Sequence, residues 1–160
     1  MGCVGVPPGA TGALTPMGLL LLGSLLLAGC QASRSAAPGV RDGALAPCPA
    51  TPNCVSSLEQ DEPHRIAPLP FAGSVADAMA RLAGIVRELP RTTIVAAEGT
   101  YLHAECRSAF FRFVDDLEFL ADDAAKVVHV RSAARLGSSD LGVNRRRVEE
   151  IRRRWNAPAP

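Results

Sequence analysis

From Ser74 onward, apolar residues recur at helical spacing: Val75, Met79, Leu82, Val86 and Leu89 fall on one stripe. Ser74 and Asp77 supply a start box ahead of the stripe, and Pro90 ends it, so the spacing predicts a helix over Ser74–Leu89. The period then drops to two. Thr92–Glu98 and Tyr101–Ser108 read as strands, joined through Gly99-Thr100, a pair suited to a tight hairpin. Phe110–Leu120 and Lys126–Leu136 form a second strand pair around residues 121–125. Ser108 to Phe110 fits either a continuous bent strand or a bulge between the two hairpins. After the loop LGSSDLGVN, the helical period returns with Val148, Ile151 and Trp155 and predicts a helix from about Asn144 to Trp155. Glu149→Arg153 and Glu150→Arg154 sit at the favourable i,i+4 spacing on it. The expected fold class is α+β: an antiparallel sheet of about four strands, with a helix before and a helix after it. No internal repeat is visible.

The beginning of the chain follows a different logic. Its first charged residue is Arg34, and Met17–Ala28 reads MGLLLLGSLLLA. Twelve helical residues span about 18 Å against a hydrocarbon core of about 30 Å, which argues against a transmembrane helix and leaves an uncleaved signal anchor or an unlipidated apolar tail as the alternative to export. The length suits the apolar region of a secretory signal, although residues 1–16 lack the usual leading Lys or Arg. Leu27-Ala28-Gly29-Cys30 resembles the bacterial lipobox, whose cysteine thiol receives a diacylglycerol. That resemblance implies a signal peptide over residues 1–29, lipidation of Cys30 and a membrane-tethered mature chain. Gln31 follows the cysteine where an Asp is associated with inner-membrane retention. The expected location is therefore the cell envelope, facing the periplasm, with the outer membrane favoured over the inner. Residues 30–47, rich in Ala, Ser, Gly and Pro, read as the lipidated cysteine and a flexible tether. A single globular domain over 48–155 and a tail over 156–160 complete the division.

Composition narrows the function classes. The chain has 160 residues and a formal net charge of +1, from 17 Lys+Arg and 16 Asp+Glu. That balance argues against a nucleic-acid partner, which calls for a basic excess. Cys48 and Cys54 enclose a short loop with two prolines, and an oxidising compartment favours a disulfide between them. A zinc site on the pair would need two further ligands, with only His64 near in sequence. Cys106 shares an apolar row with Leu102 and Ala104 and reads as a buried thiol.

Register arithmetic places Phe111, Phe113, Asp115, Leu117 and Phe119 on one face of the third strand. Asp115 then interrupts an apolar row, where an unpaired carboxylate is costly. A hairpin centred on Asp123–Ala124 would set Asp115 opposite Ser132, Asp116 opposite Arg131 and Glu118 opposite His129. From Arg131 to Arg154 there are eight arginines against Asp140, Glu149 and Glu150. Arg131, Ser132, Arg135, Ser139, Asn144 and Arg145 fall at a strand end, a glycine-bearing loop and a helix start, a combination suited to phosphate or carboxylate. Against that stands a scaffold reading, in which Arg131 and Arg135 pair with Asp116 and Asp140 and lock the last helix onto the sheet.

Four segments carry a family resemblance: Cys48-Pro with Pro52-Asn-Cys-Val-Ser-Ser57, then Phe111-Arg-Phe-Val-Asp-Asp116, Arg131-Ser-Ala-Ala-Arg-Leu-Gly137, and Ser139-Asp-Leu-Gly-Val-Asn-Arg-Arg-Arg147. They resemble the domain-of-unknown-function family 1499 over roughly residues 46–155. The resemblance implies a small exported or membrane-associated bacterial protein and carries no activity with it. Ala134 stands where that family's second arginine motif would place a serine.

No metal-binding helix, phosphate loop or nucleophile elbow occurs, and no cofactor or metal is expected. The expected function is a binding module for an anionic small molecule, a lipid headgroup or an envelope protein. The alternative is a small periplasmic hydrolase using Ser132 or Ser139 with a nearby His and Asp.

Overall fold

The computed structural model describes residues 35–158. Cys30 and residues 1–29, expected to be a signal peptide, lie outside them. The elements run β1 (Val40–Arg41), β2 (Ala44–Leu45), β3 (Cys54–Ser56), β4 (Leu69–Pro70), α1 (Val75–Arg87), β5 (Thr92–Glu98), β6 (Tyr101–Arg107), β7 (Val114–Asp122), β8 (Val127–Ala134) and α2 (Val143–Asn156). The fold is α+β, as the periodicity implies. The main sheet has six strands rather than four, because β3 and β4 also pair antiparallel with β8. Both are only two or three residues long, too short to register as a period of two. No helix among the described residues is long and apolar enough to cross a membrane.

The sheet order is β3-β8-β7-β6-β5, antiparallel throughout. Its inner face carries Leu102, Ala104, Leu117, Phe119, Val128 and Val130, which pack with the stripes of both helices into one core. In α1 the buried positions are Ala78, Met79, Leu82, Ala83 and Val86, and in α2 Asn144, Val148, Ile151 and Trp155. Ser74 caps α1, its hydroxyl accepting from the Asp77 amide at 3.1 Å. α2 starts differently. Gly142 sits at its N-cap with φ +74°, and the Asp140 carboxylate two residues earlier accepts from the amides of Gly142 (2.9 Å) and Asn144 (2.7 Å). On α2, Glu150 pairs with Arg154 as expected, whereas Glu149 turns to Arg152 rather than Arg153.

Two expectations about the second hairpin need correction. First, its register lies two residues from the expected one: Asp115 faces Ala134, Leu117 faces Ser132 and Glu118 faces Arg131. The turn explains the shift. Asp122 accepts from the amides of Ala124 and Ala125, and Lys126 adopts φ +53°, so the loop comprises residues 123–126. Because the shift is even, every side chain keeps its assigned face. Second, β7 begins at Val114, so Phe111 and Phe113 never join its apolar row. Phe110, Phe111 and Phe113 are 91 %, 79 % and 56 % exposed in the turn before it.

The stretch read as tether is folded over much of its length. Val40–Arg41 and Ala44–Leu45 form a two-stranded hairpin, and Leu45 and Ala46 are buried. Ser35 and Gly39 bond to side chains of β8 and β7 on the outer face of the sheet. Cys48 and Cys54 are joined in a disulfide, which removes the zinc alternative for that pair. Cys106 is a buried free thiol.

Candidate functional site

The chemistry concentrates at one end of the sheet, where β6, β7 and β8 meet the loops 108–113 and 135–142. It forms two networks, one on each face. On the inner face the Arg147 guanidinium donates to Asp115 (2.7 Å), Ser132 (3.1 Å) and Asn144 (2.6 Å). The Ser132 hydroxyl donates to Asn144 Oδ1 at 2.5 Å, and the Asn144 amide reaches the Asn53 carbonyl. Asn53 in turn donates to the Gly137 carbonyl. The odd carboxylate in the apolar row, Asp115, is thus satisfied by an arginine from α2 rather than by a cross-strand serine. Burial still pushes its carboxyl up, and Arg147 opposes this without cancelling it. Burial raises the Cys106 thiol as well, which removes the lowered pKa a nucleophilic cysteine needs.

The outer face carries an ionic ladder whose parts alternate along the strands: Tyr101, His103 and Glu105 on β6, Asp116 and Glu118 on β7, Arg131 and Arg135 at β8. Arg131 and Glu118 are fully buried and paired at 2.8 Å. Glu118 also accepts from Tyr101 (2.9 Å) and from the Gly39 amide (2.7 Å), and Arg131 reaches the Ser35 hydroxyl. Burial and the Glu118 charge together push the Tyr101 phenol well up. The Arg131 Nε has no hydrogen-bond partner among the described residues.

Arg135 grips Asp116 through two nitrogens, at 2.9 and 2.7 Å, and also pairs with Glu105 at 2.6 Å. His103 bonds Asp116 at 2.8 Å. Burial would raise the Asp116 carboxyl, but the bonds from Arg135 and His103 prevail and hold it at about 2.

Set against the six residues considered for anion binding, the structure separates them. Arg131 is enclosed in the outer network, and Ser132 and Asn144 in the inner one. Ser139 lies on the surface loop, and Arg145 bonds the carbonyls of Glu62 and Pro63. Arg145 lines a polar cavity with Glu59, Glu62 and Arg65, whereas Arg135 opens onto a largely apolar one. The scaffold pairs are exchanged: Asp116 takes Arg135 rather than Arg131, Arg131 takes Glu118, and Asp140 caps α2. The bonds of Ser132 go to Asn144 and Arg147, and Ser139 accepts from the Leu141 amide, so neither serine has a histidine partner.

The cavity beside Arg135 is a groove of about 500 Å3 between the N-terminal strap, residues 35–39, and the β6–β7 and β8–α2 loops. Its walls are mostly apolar: Ala36, Ala37, Pro38, Phe113, Val114 and Leu136, with Arg112, Asp116 and Arg135 contributing the charge. Arg112 is exposed, sits at φ +55°, and forms no ion pair among the described residues. The nearby carboxylates Glu105 and Asp116 are committed to Arg107, Arg135 and His103. Sequence reasoning missed Arg112, because placing Phe111–Phe113 in a strand hid the arginine between them. It also missed Tyr101, His103 and Glu105, whose alternation with Leu102, Ala104 and Cys106 was the available signal.

These features define a small disulfide-linked α+β domain with a two-helix layer on one sheet face and a buried ionic ladder on the other. The chain belongs to the family described as "Protein of unknown function (DUF1499)", which matches residues 44–154. No curated protein matches it.

Proposed function

We propose that this chain is an envelope lipoprotein, anchored through Cys30 and facing the periplasm, whose domain binds a small amphiphilic anion in the groove beside Arg112. The outer membrane is the favoured location, on the identity of Gln31. One observation carries the binding reading. The apolar groove of about 500 Å3 has at its rim the guanidinium of Arg112, which forms no ion pair among the described residues, while the groove's one carboxylate, Asp116, is held by Arg135 and His103. Pockets of this size with a few convergent polar groups are typical ligand sites. The apolar wall suits an acyl or alkyl body, and Arg112 a phosphate or carboxylate head. Arg135 borders the same groove with its charge already balanced by Asp116 and Glu105, so it shapes the site and holds the strand ends together.

Octyl phosphate and uncharged 1-octanol separate the two contributions. Octyl phosphate should raise the wild-type melting temperature, by an amount equivalent to about 2.7 kcal/mol at a hundredfold excess over Kd. The shift should largely vanish in Arg112→Ala, a surface substitution that leaves the core intact. Equal shifts with octanol, or an undiminished shift in the variant, would remove the basis for an anion site.

A further inference from the structure

The β6–β7 loop has a second feature the groove does not use. Phe110 and Phe111 project into solvent, 91 % and 79 % exposed, and Phe111 stacks on Phe113 with centroids 5.7 Å apart. Leu136 and Leu141 from the neighbouring loop are 54 % and 84 % exposed. Large apolar side chains clustered this way on a soluble surface mark a contact site. The carboxylates nearby are engaged, Asp116 by Arg135 and His103 and Asp140 by the amides at the start of α2, so the charge left over around them is positive. Arg112 lacks an ion pair among the described residues, while Arg91 and Arg146 spend their bonds on the backbone carbonyls of Arg107 and Leu141. The opposite end of the sheet is acidic, with Glu98, Asp122 and Asp123 at the hairpin turns beside Lys126.

We infer that this Phe110–Phe111 tip is a bilayer contact: the two rings enter the interface of an anionic membrane while Arg91, Arg112 and Arg146 meet its headgroups. The inference rests on the anchoring reading above, which also supplies its geometry. Ser35 lies along the same groove as Phe113 and Leu136. Five chain steps link it to Cys30, a reach of at most about 18 Å, so a lipidated Cys30 holds this end of the domain close to the membrane surface. Arginines near an anionic leaflet each favour binding, and rings of this kind bury at the headgroup boundary. The acidic turns then point away from the same surface, which sets an orientation.

The test uses the full lipoprotein carrying Phe111→Trp, reconstituted in vesicles whose acyl chains are brominated. One set contains phosphatidylglycerol and the other only phosphatidylcholine. After subtraction of the wild-type signal from the buried Trp155, the expected result is a blue-shifted, quenched signal from the introduced indole with phosphatidylglycerol, and much less with phosphatidylcholine. Adding Arg112→Glu should weaken that engagement about fivefold or more. No quenching in phosphatidylglycerol vesicles overturns the inference, as does equal quenching in both lipids or shielding that appears only as protein concentration rises. The mass of Cys30 is read on the same sample. An acylated cysteine with an unquenched indole rejects the tip contact while leaving the anchor standing, and an unmodified cysteine rejects the anchor itself.

Discussion

At the scale of single residues, Asp116 shows how the outer ladder is held. Its side chain is almost fully enclosed, and its carboxyl lies at about 2 because Arg135 and His103 stabilise the charged form against burial. A carboxyl lower in the folded than in the unfolded chain adds stability that is complete above about pH 4 and disappears as pH falls toward 2. The contribution is about 2 kcal/mol. Asp115 acts with the opposite sign, since its raised carboxyl favours the folded state more as pH falls. Urea midpoints measured between pH 6 and 2 should therefore show an acid-side decline in wild type that Asp116→Asn flattens. An unchanged slope in that variant would mean Asp116 is not the group being titrated. Part of this was legible residue by residue: Asp115 in an apolar row demanded a partner, and Asp116 was expected to meet an arginine of the 131–135 segment, though Arg131 rather than Arg135. The identity of the Asp115 partner was not legible, because Arg147 arrives from another element 32 residues away and only the packing of α2 brings it there.

At the scale of elements, the N-terminal strap is the least expected piece. Its sequence of small residues and prolines carries no periodicity, so it reads as slack chain, yet it is tied to the sheet by polar bonds to Glu118 and Arg131. Such docking is invisible to a hydrophobic pattern because the surface that receives it is a buried ion pair. Removing one partner of a buried pair leaves the other charge uncompensated and typically costs 3–5 kcal/mol. Arg131→Met should lose about that much, and the loss should be smaller when Glu118→Gln is added. Hydrogen exchange at Gly39, whose amide donates to Glu118, should accelerate in the single variant. Full protection of Gly39 in Arg131→Met would separate the strap from the ladder. The long elements were legible because their periods are strong: α1, the β5–β6 hairpin and α2 all stand within about two residues of their expected bounds. β3 and β4 were not, since strands this short are specified by their partner β8 rather than by their own sequence.

At the scale of the whole molecule, two polar networks fix one end of the sheet, and the loops beyond them present a groove, an uncompensated arginine and exposed phenylalanines. The family segments account for this arrangement. Asn53, Asp115, Ser132, Asn144 and Arg147 build the inner network, while Asp116, Arg131 and Arg135 anchor the outer one. Their arginines read as one cluster in sequence, but the sheet places them on opposite faces, which is why the expected six-residue anion site dissolves into two scaffolds. The chemistry left exposed belongs to Arg112 and the groove. The most direct test of the binding claim is native mass spectrometry of the full chain purified gently in phosphate-free buffer. The account predicts a retained amphiphilic anion on the wild-type chain, stoichiometric and absent from Arg112→Ala. A wild-type chain that retains no non-covalently bound mass, or a ligand held equally well by the variant, would contradict it.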